Sequence, residues 1–511
     1  MYPKQSKNQL FLGNFVHSKS LGELEILHNA AVCVDSTGTI LTVERDCNQQ
    51  KALEIVCAGL GWDLEDVAIT VARDGRQFFF PGFIDTHVHA PQYPNVGIFG
   101  KSTLLDWLNK YTFPMEASMT DLAKARRVYT RCIRRMLANG TTTAAYFATR
   151  DVAATNLLAD LCHAMGQRAL VGRVCMDHLA PEYYIDASAE QAITDTLLTI
   201  EHMRALSPSF DLVTPILTPR FAPSCTSALL TRIAALHAET GLPIQTHISE
   251  NTAEIALVKS LFPDHKTYAD VYDAHGLLTD KTILAHAIHL SESEADLLAA
   301  RGCKVAHCPC SNAALTSGVA RVRRLLDKGV HVGLGTDMSG GYSPSVLEAA
   351  RQAKLASNQL VVPGGLLCPV KTSDDNNDPL TTEEEQEKEK ERDRAVLSVD
   401  EVLYLATRGG AHVVGLADKI GAFEVGMRWD AQLVDLGPTV PDELTLDPDL
   451  EGSSRSKESG VGGGSGVVED GNVDIFGWET WDERVAKWVF NGDDRNTKKV
   501  WVQGRLVHER A

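Results

Sequence analysis

The chain has 511 residues, of which 44% are hydrophobic and 23% are charged. This composition is typical of a soluble globular protein, and the length suits a large barrel with an accessory domain. A formal net charge of −18 argues against nucleic acid or an anionic membrane as a partner, because an acidic surface repels both. The sequence contains no apolar run of about 18 residues, which a membrane span would require.

Short β-rich segments occur at both ends of the chain. Residues 31–34 and 40–43 flank a turn-forming stretch, which predicts a hairpin. After about residue 415 similar segments return, for example at 499–502. We therefore expect residues 1–80 and 415–511 to form one small β-sandwich-like domain.

Residues 81–414 show a different pattern, in which short apolar β-rich segments alternate with longer helical ones. Such alternation indicates βα units around a parallel sheet. The eight predicted strands are 78–85, 141–147, 169–176, 212–218, 243–248, 282–287, 304–307 and 331–336. The sequence thus predicts an α/β protein with a (β/α)8 TIM-type barrel, in which catalytic groups lie at the C-terminal ends of the strands.

Two segments have the composition of insertions. Residues 372–394 are rich in Asp and Glu, and residues 452–471 are rich in Gly and Ser. Neither composition can bury a hydrophobic core, so mobile surface loops are expected. The acidic segment could alternatively serve as a docking site.

The first predicted barrel strand leads into a His-x-His pair, His87 and His89. Alternate side chains of a strand point to the same side, so both imidazoles can face one metal ion. A single pair of this kind is equally compatible with a core or surface role.

Further polar residues occur where later predicted strands end. His247 and Glu250 lie at the end of the fifth strand, His286 at the end of the sixth and Asp337 at the end of the eighth. Any one of them could be a buried, hydrogen-bonded residue of the core. Together at one rim of a barrel, three histidines and an aspartate make a suitable site for zinc or iron.

The sequence around these residues resembles the metal-dependent amidohydrolase superfamily and, within it, the guanine deaminase family. The superfamily resemblance lies in Pro81-Gly82-Phe83-Ile84-Asp85-Thr86-His87-Val88-His89, the later His-x-x-Glu and His, and Gly335-Thr336-Asp337. The resemblance to the narrower family lies in residues 102–114, 218–225, 246–251, 333–337 and 491–496. It covers nearly the whole chain except the two insertions. One departure is Cys310, where the family usually has asparagine.

The resemblance implies one metal ion per chain. Its ligands would be His87, His89, His247 and Asp337, and the metal would be zinc or iron. Binuclear members of the superfamily use a lysine at the end of strand four, and the corresponding residues 211–224 contain none. A catalytic metal of this kind lowers the pKa of its bound water to about 7.

The resemblance also implies three catalytic residues. Asp337 would take a proton from the attacking water, and His286 would stabilise the hydroxide and the resulting oxyanion. Glu250 would deliver protons to the purine ring and then to the leaving ammonia.

Substrate recognition is assigned in the same way. Gln92 would bind a purine edge, Arg220 would donate to the 6-oxo group of guanine, and Phe221 would stack on the ring. His247, Glu250 and Asp337 would also contact the substrate. Without the resemblance, Phe221 could equally be a core residue and Arg220 a member of a surface ion pair.

The function expected from this resemblance is deamination of guanine to xanthine and ammonia in purine catabolism, by a cytoplasmic homodimer. The eleven scattered cysteines fit reduced thiols in that compartment. A related aminohydrolase acting on an adenosine-type nucleoside or a triazine is one alternative. A catalytically dead binding protein with the same fold is another.

Overall fold

The computed structural model describes residues 7–98, 100–101, 103–363, 365–368, 382–440 and 472–510. Within these ranges, no helix combines the length and apolar character needed to cross a bilayer.

The strands fall into an accessory sheet and a barrel. In chain order they are β1 Asn8–Ser20, β2 Glu23–Val34, β3 Ile40–Glu44, β4 Val67–Val71, β5 Gln77–Pro81, β6 Phe83–His89, β7 Thr141–Phe147, β8 Arg168–Gly172, β9 Val174–Cys175, β10 Val213–Pro215, β11 Thr218–Pro219, β12 Ile244–Ile248, β13 Thr282–His286, β14 Lys304–His307, β15 His331–Leu334, β16 Ala431–Asp435, β17 Thr497–Val502 and β18 Arg505–Glu509.

Helices follow most of the barrel strands and cover them from outside. The α-helices are α1 Gln49–Glu54, α2 Leu104–Trp107, α3 Phe113–Ala117, α4 Leu122–Ala138, α5 Val152–Met165, α6 Ala189–Leu206, α7 Ser227–Thr240, α8 Thr252–Leu261, α9 Tyr268–Ala274, α10 Glu292–Ala300, α11 Pro309–Ala314, α12 Val322–Asp327, α13 Val346–Gln359, α14 Thr382–Ala395, α15 Val399–Tyr404, α16 Gly410–Val413 and α17 Trp481–Asn491.

The barrel is built from parallel strands, as the βα alternation predicts. β10, β8, β7 and β6 form one four-stranded sheet, and β12 to β15 form another. A parallel bridge between Leu217 and Ile244 joins the two sheets on one side. On the other side, the Asp337 N–H donates to the His87 carbonyl at 2.9 Å and the His89 N–H donates to the Met338 carbonyl at 3.1 Å. The predicted (β/α)8 fold is thereby confirmed.

The first predicted strand, 78–85, is wrong as a single element. It is two strands, of which β5 pairs antiparallel with β16 in the accessory sheet and β6 opens the barrel. The chain changes sheets at Gly82, where a Cβ would collide with the side chain of Thr142. The Gly82 N–H donates to the Asp430 carbonyl, and the next N–H donates to Gly140. The apolar residues on both sides of Pro81-Gly82 concealed this change of partner.

Both ends of the chain contribute to the accessory sheet. Its strands run in the order β18-β17-β16-β5-β1-β2-β3, and β4 pairs with β1. On one face, Trp429 stacks on Phe11 with ring centroids 4.1 Å apart and on Phe423 at 5.0 Å. Aromatic packing of this kind buries a large apolar area within the accessory domain.

Part of the first predicted insertion is a helix and not a loop. Residues 382–395 form α14, because Glu, Lys, Gln and Arg are strong helix formers. Glu391 pairs with Arg321, the residue that precedes α12, and Arg394 pairs with Asp327 of α12. Residues 372–381 and the whole second insertion, 452–471, lie outside the described residues.

The base of the barrel carries a titratable pair that generates a stability prediction. The rings of His331 and His412 stack with centroids 4.3 Å apart and planes 4° from parallel. Burial lowers the pKa of His412 to about 4, and the charges of His331, Arg408 and Lys304 act in the same direction. The folded protein therefore binds the proton at His412 more weakly than the unfolded chain does.

We expect the free energy of unfolding to decrease as the pH falls from about 6.5 towards about 4, because the unfolded chain takes up a proton that the folded state resists. His412→Gln should reduce this decrease, measured by chemical denaturation at about pH 7 and about pH 5. His28→Gln, on the exposed face of the accessory sheet, is the control. An unchanged pH dependence in His412→Gln would contradict the prediction.

Candidate active site

The barrel strands deliver four histidines and an aspartate to one rim. His87 and His89 are alternate residues at the end of β6, His247 lies in β12 and His286 ends β13. Asp337 follows β15 by three residues. Because parallel barrel strands all end at the same face, these side chains converge there.

Four of these residues form a cluster with the spacing of metal ligands. The Nε2 atom of His89 lies 3.2 Å from that of His87 and 3.3 Å from that of His247. The Asp337 Oδ1 atom lies 3.3 Å from His87 Nε2 and 3.5 Å from His89 Nε2. Metal–ligand bonds of about 2.1 Å in a tetrahedral site would place the ligand atoms about 3.4 Å apart. The donor set therefore fits a single ion of zinc type.

The histidines of the cluster have the neutral form that a metal ligand requires. His247 Nδ1 donates to the Arg220 carbonyl at 2.6 Å, which leaves the lone pair on Nε2. Burial holds the pKa values of His89 and His247 well below the ordinary range, and the neighbouring histidines add to the shift. The pKa of His87 is also lowered by burial.

A buried carboxylate ties the ligand-bearing segments together. Asp85, fully buried in β6, accepts hydrogen bonds from the backbone N–H and the hydroxyl of Thr336 and from the His87 N–H. Burial raises the pKa of Asp85 to about 7 in spite of these bonds. Thr336 immediately precedes Asp337, so the contact fixes the position of the aspartate relative to β6.

Three titratable groups form a second cluster beside the ligands. His286 Nε2 lies 3.4 Å from Glu250 Oε2 and 3.8 Å from Asp337 Oδ2, and its Nδ1 donates to Asn312 Oδ1 at 3.0 Å. The Glu250 carboxylate also accepts from the Ser317 hydroxyl at 3.2 Å.

The pKa values in this second cluster are shifted in different directions: those of Glu250 and His286 are raised, and that of Asp337 is lowered. Burial raises the pKa of Glu250 to about 7. For His286 burial disfavours the cation, but the charges of Glu250 and Asp337 outweigh it and raise the pKa. For Asp337 burial is likewise outweighed, by the hydrogen bond and charge of His87 and the charge of His286, and its pKa falls to about 2. Such a combination suits a site that moves protons.

The backbone at the rim adopts a left-handed conformation that residues other than glycine rarely occupy. The φ angles are +49° at Ser249, +73° at His286 and +46° at Asp337. Left-handed residues of this kind cost free energy and tend to cluster at functional sites. Here the strained residues include two members of the titratable cluster.

The two clusters open into a cavity of about 390 Å³. The lining residues are His89, Gln92, Leu104, Trp107, Leu108, Arg220, Phe221, His247, Glu250, His286, Leu315 and Asp337. The apolar members and the ring of Phe221 provide walls for a flat, partly apolar ligand.

The wall of the cavity around Arg220 is organised by Glu116, whose Oε1 atom also lies 3.9 Å from His89 Nδ1. Its carboxylate accepts from both terminal nitrogens of Arg220, at 2.7 and 3.1 Å, from Gln92 Nε2 at 2.7 Å and from the Tyr184 hydroxyl at 2.8 Å. The Arg220 guanidinium also lies over the ring of Phe113 at 5.2 Å. Arg220 is therefore a buried residue of the cavity and not a surface one.

The structure brings all nine residues singled out in the sequence to this place. Eight line the cavity, and His87 contacts the lining through His89 and Asp337. Their individual roles stay predictions.

Sequence reasoning missed Glu116 and Asn312. Glu116 could have been noticed as a lone acidic residue just after the Phe113-Pro114-Met115 stretch. Asn312 belongs to the same short segment as Cys310, a buried residue of α11 that departs from the family pattern.

Comparison with known proteins places this site in context. The sequence model of the Amidohydrolase family matches residues 78–507. A probable guanine deaminase of Schizosaccharomyces pombe is 46% identical over 498 residues, which cover 98% of this chain and 83% of that protein. A guanine deaminase of Dictyostelium discoideum is 37% identical over 503 residues, covering 98% of both chains.

Among solved structures, a guanine deaminase from C. acetobutylicum with guanine bound in its active site is similar over the whole molecule. The TM-score is 0.77 at 30% sequence identity, and the match covers 98% of this chain and 100% of the other.

The ligand cluster generates a prediction about metal content. We expect elemental analysis of the purified protein to give one metal ion per chain, and His87→Ala to lose both the metal and the activity because one of four ligand atoms is removed. His237→Ala is the matched control, since His237 lies in α7 and donates to the Leu242 carbonyl. Two metal ions per active chain, or full occupancy in His87→Ala, would contradict the single-ion site.

Proposed function

The chain belongs to the amidohydrolase family, and we propose that it is a guanine deaminase, a hydrolase that cleaves a C–N bond of a cyclic amidine. It converts guanine and water to xanthine and ammonia. The observation that carries this conclusion is the identity of 46% and 37% to guanine deaminases over almost the entire chain. The cavity, with ligand atoms at one end and N–H donors at the other, provides the chemistry that this reaction requires.

We propose that one zinc ion is held by His87, His89, His247 and Asp337. The spacing of 3.2–3.5 Å among the ligand atoms supports this assignment, as does the lack of a lysine in residues 211–224. A bound zinc ion lowers the pKa of water to about 7, and so supplies hydroxide at neutral pH.

The attack on the ring is assigned to two residues of the titratable cluster. Asp337 accepts the proton that the attacking water loses as its oxygen bonds to C2 of guanine. His286 donates a hydrogen bond to the attacking oxygen and to the negative charge that develops on it. The distance of 3.8 Å between His286 and Asp337 supports their joint action on one water.

Glu250 is assigned the proton transfers. It gives its proton to the ring nitrogen next to C2 as the carbon becomes tetrahedral. The resulting carboxylate takes the proton of the new C2 hydroxyl group and passes it to the amine as the C–N bond breaks, and the proton held by Asp337 then restores the acid form of Glu250. Its place three residues after His247, its burial and its distance of 3.4 Å from His286 support this role.

Recognition of the base is assigned to Gln92, Arg220 and Phe221, with His247, Glu250 and Asp337 at the reacting end. Arg220 donates to the 6-oxo oxygen, Gln92 binds a neighbouring edge, and Phe221 lies against the ring face. Their positions in the wall of one cavity support this arrangement.

The function is tested by measuring ammonia release from guanine, adenine, adenosine and cytosine side by side, with xanthine identified as the product from guanine. We expect turnover of guanine far above that of the other three. A preference for adenosine would favour the related aminohydrolase, and no turnover by the metal-loaded protein would favour a catalytically dead binding protein.

We also propose that the protein is a cytoplasmic homodimer acting in purine catabolism. The resemblance to the guanine deaminase family supports this assignment. Analytical ultracentrifugation should give twice the mass of the chain, and a monomer at micromolar concentration would contradict the dimer.

Glu250→Gln separates catalysis from binding. The variant should keep its metal, because no ligand is changed, while kcat falls by at least about 100-fold, since the amide fills the same space but cannot carry a proton. KM should change far less. The measurement is steady-state kinetics with guanine, together with elemental analysis.

The matched control is Glu294→Gln, which alters a buried carboxylate that caps α10 away from the cavity. It should leave kcat unchanged. A near-normal kcat in Glu250→Gln would show that the proton relay lies on another residue.

A further inference from the structure

The carboxylate of Glu116 accepts hydrogen bonds from two residues that line the cavity, Gln92 and Arg220. Its side chain is fully buried on α3, and its two oxygens accept four hydrogen bonds from three residues. Oε1 accepts from Gln92 Nε2 and Arg220 Nη2, and Oε2 accepts from Arg220 Nη1 and the Tyr184 hydroxyl. No other side chain joins Gln92 to Arg220 within the part of the chain that the structure describes.

These bonds determine which atoms Gln92 can offer to a ligand. An ionised carboxylate only accepts, so it can face the NH2 group of an amide but not its oxygen. The Gln92 oxygen consequently lies on the opposite side, 3.4 Å from the Ser339 hydroxyl. The second hydrogen of Gln92 Nε2 remains for the cavity that this residue lines.

Arg220 is held in the same way. Two of its five N–H groups are taken by Glu116, and the ring of Phe113 fixes the plane of the guanidinium. The remaining N–H groups of Arg220 are available to a ligand, because Arg220 lines the cavity. Glu116 therefore makes Gln92 and Arg220 present N–H donors to the cavity, and it holds no hydrogen-bond acceptor of either side chain towards the ligand.

The ion pair also sets the charge of this end of the cavity. An isolated guanidinium in a buried site would carry a large desolvation cost, and Glu116 compensates for it. A neutral ligand can then enter without a counter-ion. The site is thus matched to an uncharged base whose edge carries hydrogen-bond acceptors.

We propose that Glu116 is a positioning residue that sets the substrate specificity of the enzyme. By orienting Gln92 and Arg220, it makes the cavity select aminopurines with an acceptor at position 6 and reject those with a 6-amino group. The inference rests on the proposed deamination of guanine, and it names the residue that gives the cavity its donor character.

The effect on selectivity should be large. A site built to hydrogen-bond a polar group rejects an analogue that lacks it by as much as about 10⁴–10⁵-fold, because the buried partners are left unpaired. In Glu116→Gln, one of the two oxygens becomes an NH2 group that faces N–H or O–H donors. The amide of Gln92 or the fork of Arg220 must then reorient, and the donor pattern is lost.

The test compares guanine with 2-aminopurine and 2,6-diaminopurine, which share its 2-amino group but lack its 6-oxo group and the N1 proton that accompanies it. In Glu116→Gln we expect the ratio of kcat/KM for guanine to that for each analogue to fall by at least about tenfold, as the loss of hydrogen bonds to a charged group implies. KM for guanine should rise more than kcat falls, and the metal content should stay at the wild-type value.

Glu479→Gln is the matched control, because Glu479 is a buried carboxylate paired with Lys487 far from the cavity. Its selectivity should equal that of the wild type. If Glu116→Gln does not fold, Glu116→Asp carries the test: its carboxylate is too short to reach both Gln92 and Arg220, and the same tenfold fall is expected.

An equal loss of kcat/KM for all three bases, with the ratios unchanged, would overturn the inference and leave Glu116 a purely structural residue. A wild-type enzyme that does not deaminate guanine would instead overturn the proposed function. The two failures are therefore distinguishable in one set of measurements.

Discussion

The site depends on the closure of the barrel between β6 and the segment that follows β15. Asp85 makes this closure by accepting from Thr336 and His87, and the Asp337 N–H adds a bond to the His87 carbonyl. Burying a carboxylate costs free energy unless the group is hydrogen-bonded. The donors that surround Asp85 offset this cost, and they reach Asp85 only when the barrel is closed. Without this contact, Asp337 would not lie within 3.5 Å of the two histidines of β6.

Two electrostatic environments follow from this framework. At the reacting end, His286 lies between Glu250 and Asp337, and the pKa values of the two carboxyl groups are about 7 and about 2. Where Arg220 lines the cavity, the Glu116 carboxylate balances its charge. Buried ion pairs contribute little net stability, but they fix geometry, which is what an active site needs. The strained backbone at His286 and Asp337 indicates that function rather than stability determines the rim.

Much of this arrangement could be predicted from the sequence. The alternation of apolar β segments and helices predicts the barrel, and polar residues such as His247 and Asp337 stand out because they end apolar runs. The break at Gly82 was missed, because apolar residues stand on both sides of Pro81-Gly82, although this dipeptide is itself a signal for a break. The helix α14 was missed since composition alone cannot separate a solvated helix from a loop.

Residues that act through long-range contacts were the hardest to predict. Glu116 is 104 residues from Arg220 in the sequence, and only the folded chain shows that they meet. Asn312 likewise reaches His286 from another strand–helix unit. The domain limits near residues 80 and 415 stay a prediction, although strands from both chain ends share one sheet.

The central claim is that a single metal ion held at the closed rim makes guanine hydrolysis possible. It is tested most directly by removing metal with a chelator, adding zinc back in known amounts and following xanthine formation from guanine. We expect a rate that rises in proportion to bound zinc and reaches its plateau at one ion per chain. Full activity in the metal-free protein, or a plateau reached only at two ions per chain, would contradict it.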